Sequence, residues 1–146
     1  MFILDTDHFT LHLHGHQTVT RNIMEHNSST VAVSIVTVEE TLTGWYSTIR
    51  QAKALAAQIQ AYAGLFRSMQ AFQTIELAPF SPDALLRFRE LRIAHRRLGR
   101  MDLSIAAIAL EFNATLVTRN LIDFEQIPGL KIEDWSQPES GDADPA

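Results

Sequence analysis

Short apolar runs that read as buried strands alternate along this chain with segments of helical period, and that order leaves little besides a mainly parallel sheet covered by helices on both faces. Residues 2–4 form the first run and stop at Asp5. Residues 31–36 are β-branched and apolar, which favours a second strand. Residues 73–78, closed by Pro79, predict a third, residues 115–118 a fourth, and residues 130–132, after the Pro128-Gly129 turn, a last. Between them, residues 7–14 predict a short helix stopped by Gly15. Thr37-Val38-Glu39-Glu40 has the Thr-x-x-Glu form of a helix start, with the helix reaching about Tyr46. From 49 to 69 the apolar positions Ala52, Leu55, Ala56, Ile59, Tyr62, Ala63, Phe66 and Met69 recur every three or four residues, predicting one long amphipathic helix. Ser81-Pro82-Asp83 opens another, with a cap, proline at the first position and an acid in the first turn, and Gly99 is its expected end. Residues 103–112 are apolar almost all round and predict a buried helix.

One core is enough for a chain of 146 residues that is 46% apolar, since a domain of that length buries roughly 70% of its unfolded surface. The chain has no cysteine, which excludes disulfide frameworks, thiolate zinc sites and a cysteine nucleophile and fits a reducing compartment. An acid stands directly after the first three apolar residues that follow Met1, and nowhere do about 18 apolar residues run together. A cytoplasmic protein without membrane contact is therefore expected. Residues 1–135 are expected to form the single domain. Residues 136–146 hold Glu139, Asp142 and Asp144 but no base, and are expected to be a disordered acidic tail.

Four acids share a placement: Asp5 after the first strand, Glu40 one turn into the helix after the second, Asp102 at the start of the buried helix, and Asp123 just after the fourth strand. In an open parallel sheet the crevice beyond the carboxyl ends of the strands collects such residues, so acids far apart in sequence can meet. Carboxylates gathered in one pocket resist ionising together unless a cation neutralises them. With oxygen ligands only, magnesium or manganese is the expected ion. Taken singly, each acid has an ordinary explanation. Asp102 suits a helix cap worth ~1 kcal/mol, Glu40 completes a capping box, Asp5 can hold a turn, and Asp123 can be a solvated charge. The set argues otherwise, because Asp5 and Asp102 adjoin strongly apolar sequence where an uncompensated carboxylate is costly.

The segments carrying these acids resemble the motifs of PIN-domain ribonucleases, in particular the VapC toxins of bacterial toxin-antitoxin pairs. Ile3-Leu4-Asp5-Thr6-Asp7 resembles the opening strand, and residues 34–44, Ser-Ile-Val-Thr-Val-Glu-Glu-Thr-Leu-Thr-Gly, the second motif with Glu40 at its acidic position. Residues 102–110 resemble the third motif, and residues 116–124, continuing through 127–130, the fourth and its trailing strand. The match runs from about Met1 to Trp135 with all motifs in order. The resemblance implies a three-layer α/β/α fold and a metal-dependent endoribonuclease acting on structured RNA of the tRNA or rRNA class. It also implies a homodimer, and a cognate VapB-type antitoxin that inhibits by entering the acidic groove. Asp7 stands where the family usually has asparagine, and Asn120 where many members carry a fourth acid, which leaves Asp123 as the substitute. On this reading Asp5, Glu40 and Asp102, with Asp123 directly or through water, hold one or two divalent ions. Thr6, Asp7, Thr118 and Asn120 are expected in supporting roles.

Net charge is −5, yet six of the twelve basic residues, Arg87, Arg89, Arg92, Arg96, Arg97 and Arg100, lie within fourteen positions. Arg89, Arg92 and Arg96 are expected on one helix face, where they would meet RNA phosphates or simply water. Arg119 is either a phosphate contact or a partner of nearby carboxylates. Five of the six histidines, His8, His12, His14, His16 and His26, crowd into residues 8–26 without the His-Glu-x-x-His pattern of a zinc site. His95, in line with Leu91 and Leu98, is expected to be a packed core residue. Trp45, Tyr46 and the aromatic positions of the long helix are expected in the core or at a dimer contact. Two other functions fit parts of the pattern: a PIN-like module that binds RNA or protein without cutting, and a haloacid-dehalogenase-like phosphatase using Asp5. The second requires a catalytic lysine, and the chain offers only Lys53 and Lys131.

Overall fold

Each strand of the sheet is three or four residues long, and side chains alternate between its two faces. Ile3, Ala32 and Leu116, in register with one another, point into one apolar cluster; Leu4, Val33 and Val117, one residue further on, point into a second. Two separate cores of this kind demand a helical layer on each side, which is the three-layer α/β/α arrangement expected. The computed structural model describes residues 1–138. Its elements run β1 (Phe2–Leu4), α1 (Thr6–Leu13), α2 (Gln17–Glu25), a 3-10 turn (Ser28–Thr30), β2 (Val31–Ser34), α3 (Ile35–Gln51), α4 (Leu55–Phe72), β3 (Glu76–Ala78), α5 (Pro82–Ala94), α6 (Arg100–Glu111), β4 (Thr115–Val117), α7 (Leu121–Phe124) and β5 (Lys131–Glu133). The strands pair in parallel throughout, in the order β3-β2-β1-β4-β5. The chain winds outward from β1 to β3, then returns to β1's other side, so the sheet's switch point lies at the carboxyl end of β1.

The first core packs the almost fully apolar α6 (Leu103, Ile105, Ala106, Ala107, Ile108 and Ala109 all buried) with Ala84 and Phe88 of α5 and Phe124 of α7. The second collects Phe9 of α1, Phe72 of α4 and Trp135, with Phe9 and Phe72 stacked at 4.8 Å between ring centroids. Among the described residues no helix is long and apolar enough to cross a membrane. The acidic tail expected from residue 136 lies, past Pro138, outside the described residues.

Several boundaries differ from the sequence expectation for identifiable reasons. The second strand stops at Ser34, whose hydroxyl accepts from the Thr37 amide at 3.2 Å and so starts α3 three residues early. Thr37 is thereby a buried helical residue and no cap. The helical period that runs unbroken through residues 49–69 conceals a break: α3 ends at Gln51 and α4 begins at Leu55. The apolar stripe of α4 also faces outward, with Leu55, Ile59, Tyr62 and Phe66 between 59 and 73% exposed. Its buried face is the small-residue line Ala61, Gly64 and Ser68. A Cβ at Gly64 would overlap the Trp45 ring, so glycine is what allows α4 to close on α3, and the indole Nε1 donates to Ser68 Oγ at 2.9 Å. The helix α2 was not expected; His16 caps it through Nδ1, which accepts from the Val19 amide. The helix from Pro82 ends at Ala94, five residues before Gly99, and Gly99 instead precedes α6. His95, partly exposed at that end, is not a core residue.

Candidate metal centre

Asp5 follows β1 directly, at the switch point, and is 92% buried. Its backbone amide donates to the Val117 carbonyl at 2.9 Å, extending the β1–β4 pairing by one residue and fixing the side chain's origin. Oδ1 accepts from the His8 amide at 2.8 Å, so Asp5 caps α1 as an aspartate can while keeping a second oxygen in reserve. Glu40 lies on the second turn of α3. Its Oε1 accepts from Thr6 Oγ1 at 2.7 Å, and the same hydroxyl is 3.1 Å from Thr37 Oγ1. With Ser34 serving as the cap, Glu40 is released from the local capping role its sequence suggested and is held across the crevice by the residue after Asp5. Asp102 is the third residue of α6 and not its cap, because Gly99 occupies that position. Asp123 lies on α7, where Asn120 Nδ2 donates to its Oδ2 at 2.9 Å. Asn120 therefore orients an acid in place of being one. The Asn120 amide in turn donates to Oγ1 of the fully buried Thr118, which makes Thr118 a turn-forming residue at the end of β4.

These carboxylates sense one another. Burial, first, and then the charges of Asp5 and Asp123 push the Asp102 carboxyl above its ordinary range. Burial likewise raises Glu40; the Thr6 hydrogen bond opposes it, and Asp102, Asp5 and Glu39 add to it. No three Asp, Glu or His side chains among the described residues are already gathered as a ligand set. Instead, Asp5 acts on both Glu40 and Asp102, Asp102 acts on Glu40, and Asp123 acts on Asp102. The donor set is carboxylate oxygen only, in a site whose electrostatics disfavour full ionisation, and a hard divalent cation is the species that suits it.

A pH dependence follows. For both Glu40 and Asp102 the folded chain holds its proton to higher pH than the unfolded chain does, so between the two values the folded state binds more protons. Stability without divalent ions is expected to fall as pH rises from the ordinary carboxylate range, about 4, through the raised values, and to level off above them. Thermal unfolding in EDTA across that interval measures this contribution. Added Mn2+ should remove it at neutral pH, where a hundredfold excess over Kd stabilises by about 2.7 kcal/mol.

The remaining expected residues divide. Arg119 is exposed and donates through Nε to Asp7 Oδ2 at 2.8 Å with Nη2 on the same oxygen, so the two lock together across the crevice mouth. This pairing raises the guanidinium's already high pKa, and Arg119 is a partner of a carboxylate. Arg89 and Arg92 are exposed on α5, with the Arg92 guanidinium 5.8 Å from the Phe88 ring centre. Arg96 lies past the end of α5, so the three do not share one helix face. Arg92, Arg96 and Arg100 line a shallow groove with His95, and Arg87 of the same stripe is tied to Glu111 at 3.1 Å. The phosphatase alternative has no support here. Lys131 is at the amino end of β5, opposite Thr115 on the far edge of the sheet from Asp5, and Lys53 is exposed between α3 and α4.

Sequence reading missed two residues beside the site. Thr37 has the sequence form of a cap but is buried next to Thr6. His8, fully buried against Asp5, stands apart from the other four histidines of residues 8–26; the signal available is its position three after an acid that caps a helix, where the backbone of residue i+3 must face the capping oxygen.

A five-stranded parallel sheet with Asp5 at its switch point and helices on both faces defines an α/β domain with its candidate site at the carboxyl ends of the strands, and comparison with known proteins makes the class specific. The PIN domain family model matches residues 2–130, and the chain belongs to that family. It is similar to Ribonuclease VapC2 of Rickettsia felis, at 28% identity over 94% of this chain and 99% of the relative. It is also similar to the tRNA(fMet)-specific endonuclease VapC of Salmonella typhimurium, at 25% identity over 92% and 97%. Among solved structures, VapBC2 of Rickettsia felis bound to a promoter DNA fragment matches with TM-score 0.70 and 27% identity, covering 92% of this chain and 98% of that one. DNA-bound VapBC of Salmonella typhimurium matches with TM-score 0.72 and 26% identity, covering 92% and 97%.

Proposed function

We propose that this chain is a divalent-metal-dependent endoribonuclease of the VapC toxin type, cleaving structured RNA of the tRNA or rRNA class and neutralised by a cognate VapB-type antitoxin. The observation that carries it is the PIN-family match over residues 2–130 together with the placement of Asp5 at the switch point of the sheet, where the neighbouring Thr6 hydroxyl ties Glu40 beside it. Asp5, Glu40 and Asp102 hold Mg2+ or Mn2+, and Asp123, oriented by Asn120, joins them directly or through water. When bound, the ion acidifies the attacking water and offsets charge on the phosphodiester oxygens. Thr6 keeps Glu40 turned toward Asp5, and Asp5's cap to α1 keeps its carboxylate from rotating away. Arg92 and Arg96, which line a groove with His95 and Arg100, bind the RNA backbone.

The antitoxin would enter the acidic groove, and the outward apolar stripe of α4, from Leu55 to Met69, is left for a contact between two copies of the chain. Self-association is part of the same proposal and is read from the mass in solution. The test is cleavage of a folded tRNA by the purified chain with Mn2+, with growth arrest on induced expression as its cellular counterpart. Cleavage that persists in excess EDTA, or arrest undiminished by Asp5→Ala, contradicts the assignment.

A further inference from the structure

His8 is the one histidine with no exposure at all, and its ring lies between two acids and a backbone amide. Nε2 accepts from the Trp135 amide at 3.2 Å. An acceptor nitrogen carries its lone pair toward the donor, so in the neutral ring the proton belongs to Nδ1. Nδ1 is buried, has no formed hydrogen bond, and faces Asp5 Oδ1 at 3.4 Å. The same oxygen already accepts from His8's own amide at 2.8 Å. The opposite tautomer would turn an N–H toward the Trp135 N–H. Its alternative acceptor, Asp134 Oδ1 at 3.4 Å, is already engaged by the amide and hydroxyl of Ser136 at 2.8 and 2.6 Å.

We propose that His8 is a positioning residue for Asp5: the segment after β5, through the Trp135 amide, fixes the Nδ1–H tautomer of His8, and that N–H holds Asp5 Oδ1 so that Oδ2 is the oxygen left for a cation. The inference rests on the metal reading of the acidic cluster and adds a route by which residues 134–135, outside the acidic motifs, govern it. Outer partners of ligating side chains set ligand orientation and basicity, and losing one weakens metal affinity by roughly ten- to a hundredfold. A purely structural histidine would instead lower stability and leave affinity in step with it.

Two measurements test it. The ring tautomer is read by long-range 1H–15N NMR on the ion-free wild-type chain; a proton on Nδ1 supports the inference, and a proton on Nε2 overturns it whatever the metal does. Mn2+ affinity is then measured by calorimetry, with the melting temperature recorded for each variant. In His8→Asn the amide nitrogen falls near the place of Nδ1 and keeps a donor for Asp5. In His8→Gln the amide reaches the place of Nε2 and keeps an acceptor for Trp135 but no donor for Asp5. Affinity within about threefold of wild type in His8→Asn, with a loss of about tenfold or more in His8→Gln, is the expected result. Equal affinity in His8→Gln and wild type overturns the positioning role alone, as does a loss in both variants that tracks the melting temperature. A wild-type chain that takes up no Mn2+ overturns the metal reading and this inference together.

Discussion

Asp102→Asn is expected to reduce RNA cleavage by about 10³-fold while leaving the chain folded, and to raise its stability in EDTA at neutral pH. The two halves of this result come from one fact. Asp102 is half-buried near Asp5 and Asp123, and burial first, then those two charges, lift its pKa by penalising the ionised form. Replacing the charge with a neutral amide of the same shape removes the penalty, so the folded state gains. The same replacement removes a ligand. Stabilisation of developing charge by a divalent ion supplies several kcal/mol; at 1.36 kcal/mol per decade, losing about 4 kcal/mol is the factor stated. A substitution at a merely structural acid would move both quantities downward. Opposite signs for activity and stability are therefore the discriminating outcome, measured by single-turnover cleavage in Mn2+ and thermal unfolding in EDTA. Asp102→Asn that lowers stability in EDTA at neutral pH would remove the electrostatic argument for the cluster.

The same cluster marks how far sequence carries. Asp5 and Asp102 were legible because each interrupts strongly apolar sequence, where an acid has few tolerable roles. Glu40 carried a false local explanation, the Thr37 capping box, which the structure removes by giving the cap to Ser34. Thr37-x-x-Glu40 has the full capping-box form and Ser34-x-x-Thr37 does not, yet Ser34 is the cap, and Thr37 is buried with its hydroxyl against Thr6. In α4 the helical period was correct, and of the two placements expected for its aromatic positions, core or dimer contact, Tyr62 and Phe66 are not in this chain's core. Period says only that a stripe exists, and Gly64 under the Trp45 ring settles which face turns inward. The break between α3 and α4 left no mark because Ala52, Leu55 and Ala56 continue the rhythm across it. His8 was half legible: its place three residues after the capping Asp5 is a local signal, whereas its contacts with residues 134–135 span the whole chain and leave no local signature.

Trp135→Ala is expected to destabilise the chain by about 3–5 kcal/mol, the usual cost of deleting a large buried aromatic. Trp135 is 5% exposed in a position past the last strand, where side chains are ordinarily free. Its ring stacks on His26 at 4.8 Å and meets Phe2 at 5.1 Å, and Nε1 donates to Glu133 Oε2 at 2.8 Å. Those contacts close the lower end of the core that contains Leu4, Phe9, Val33 and Val117. For a domain of this size the loss corresponds to a fall of roughly 10 °C in melting temperature. Trp135→Phe keeps most of the ring's packing and forfeits the indole hydrogen bond, so about 1 kcal/mol of the loss should remain. Because the Trp135 amide survives both substitutions, its bond to His8 is available whenever the segment stays docked. A drop below about 1 kcal/mol for the alanine variant, against the 3–5 expected of a filled site, would mean that the segment contributes little to the core and that His8 is held by α1 alone.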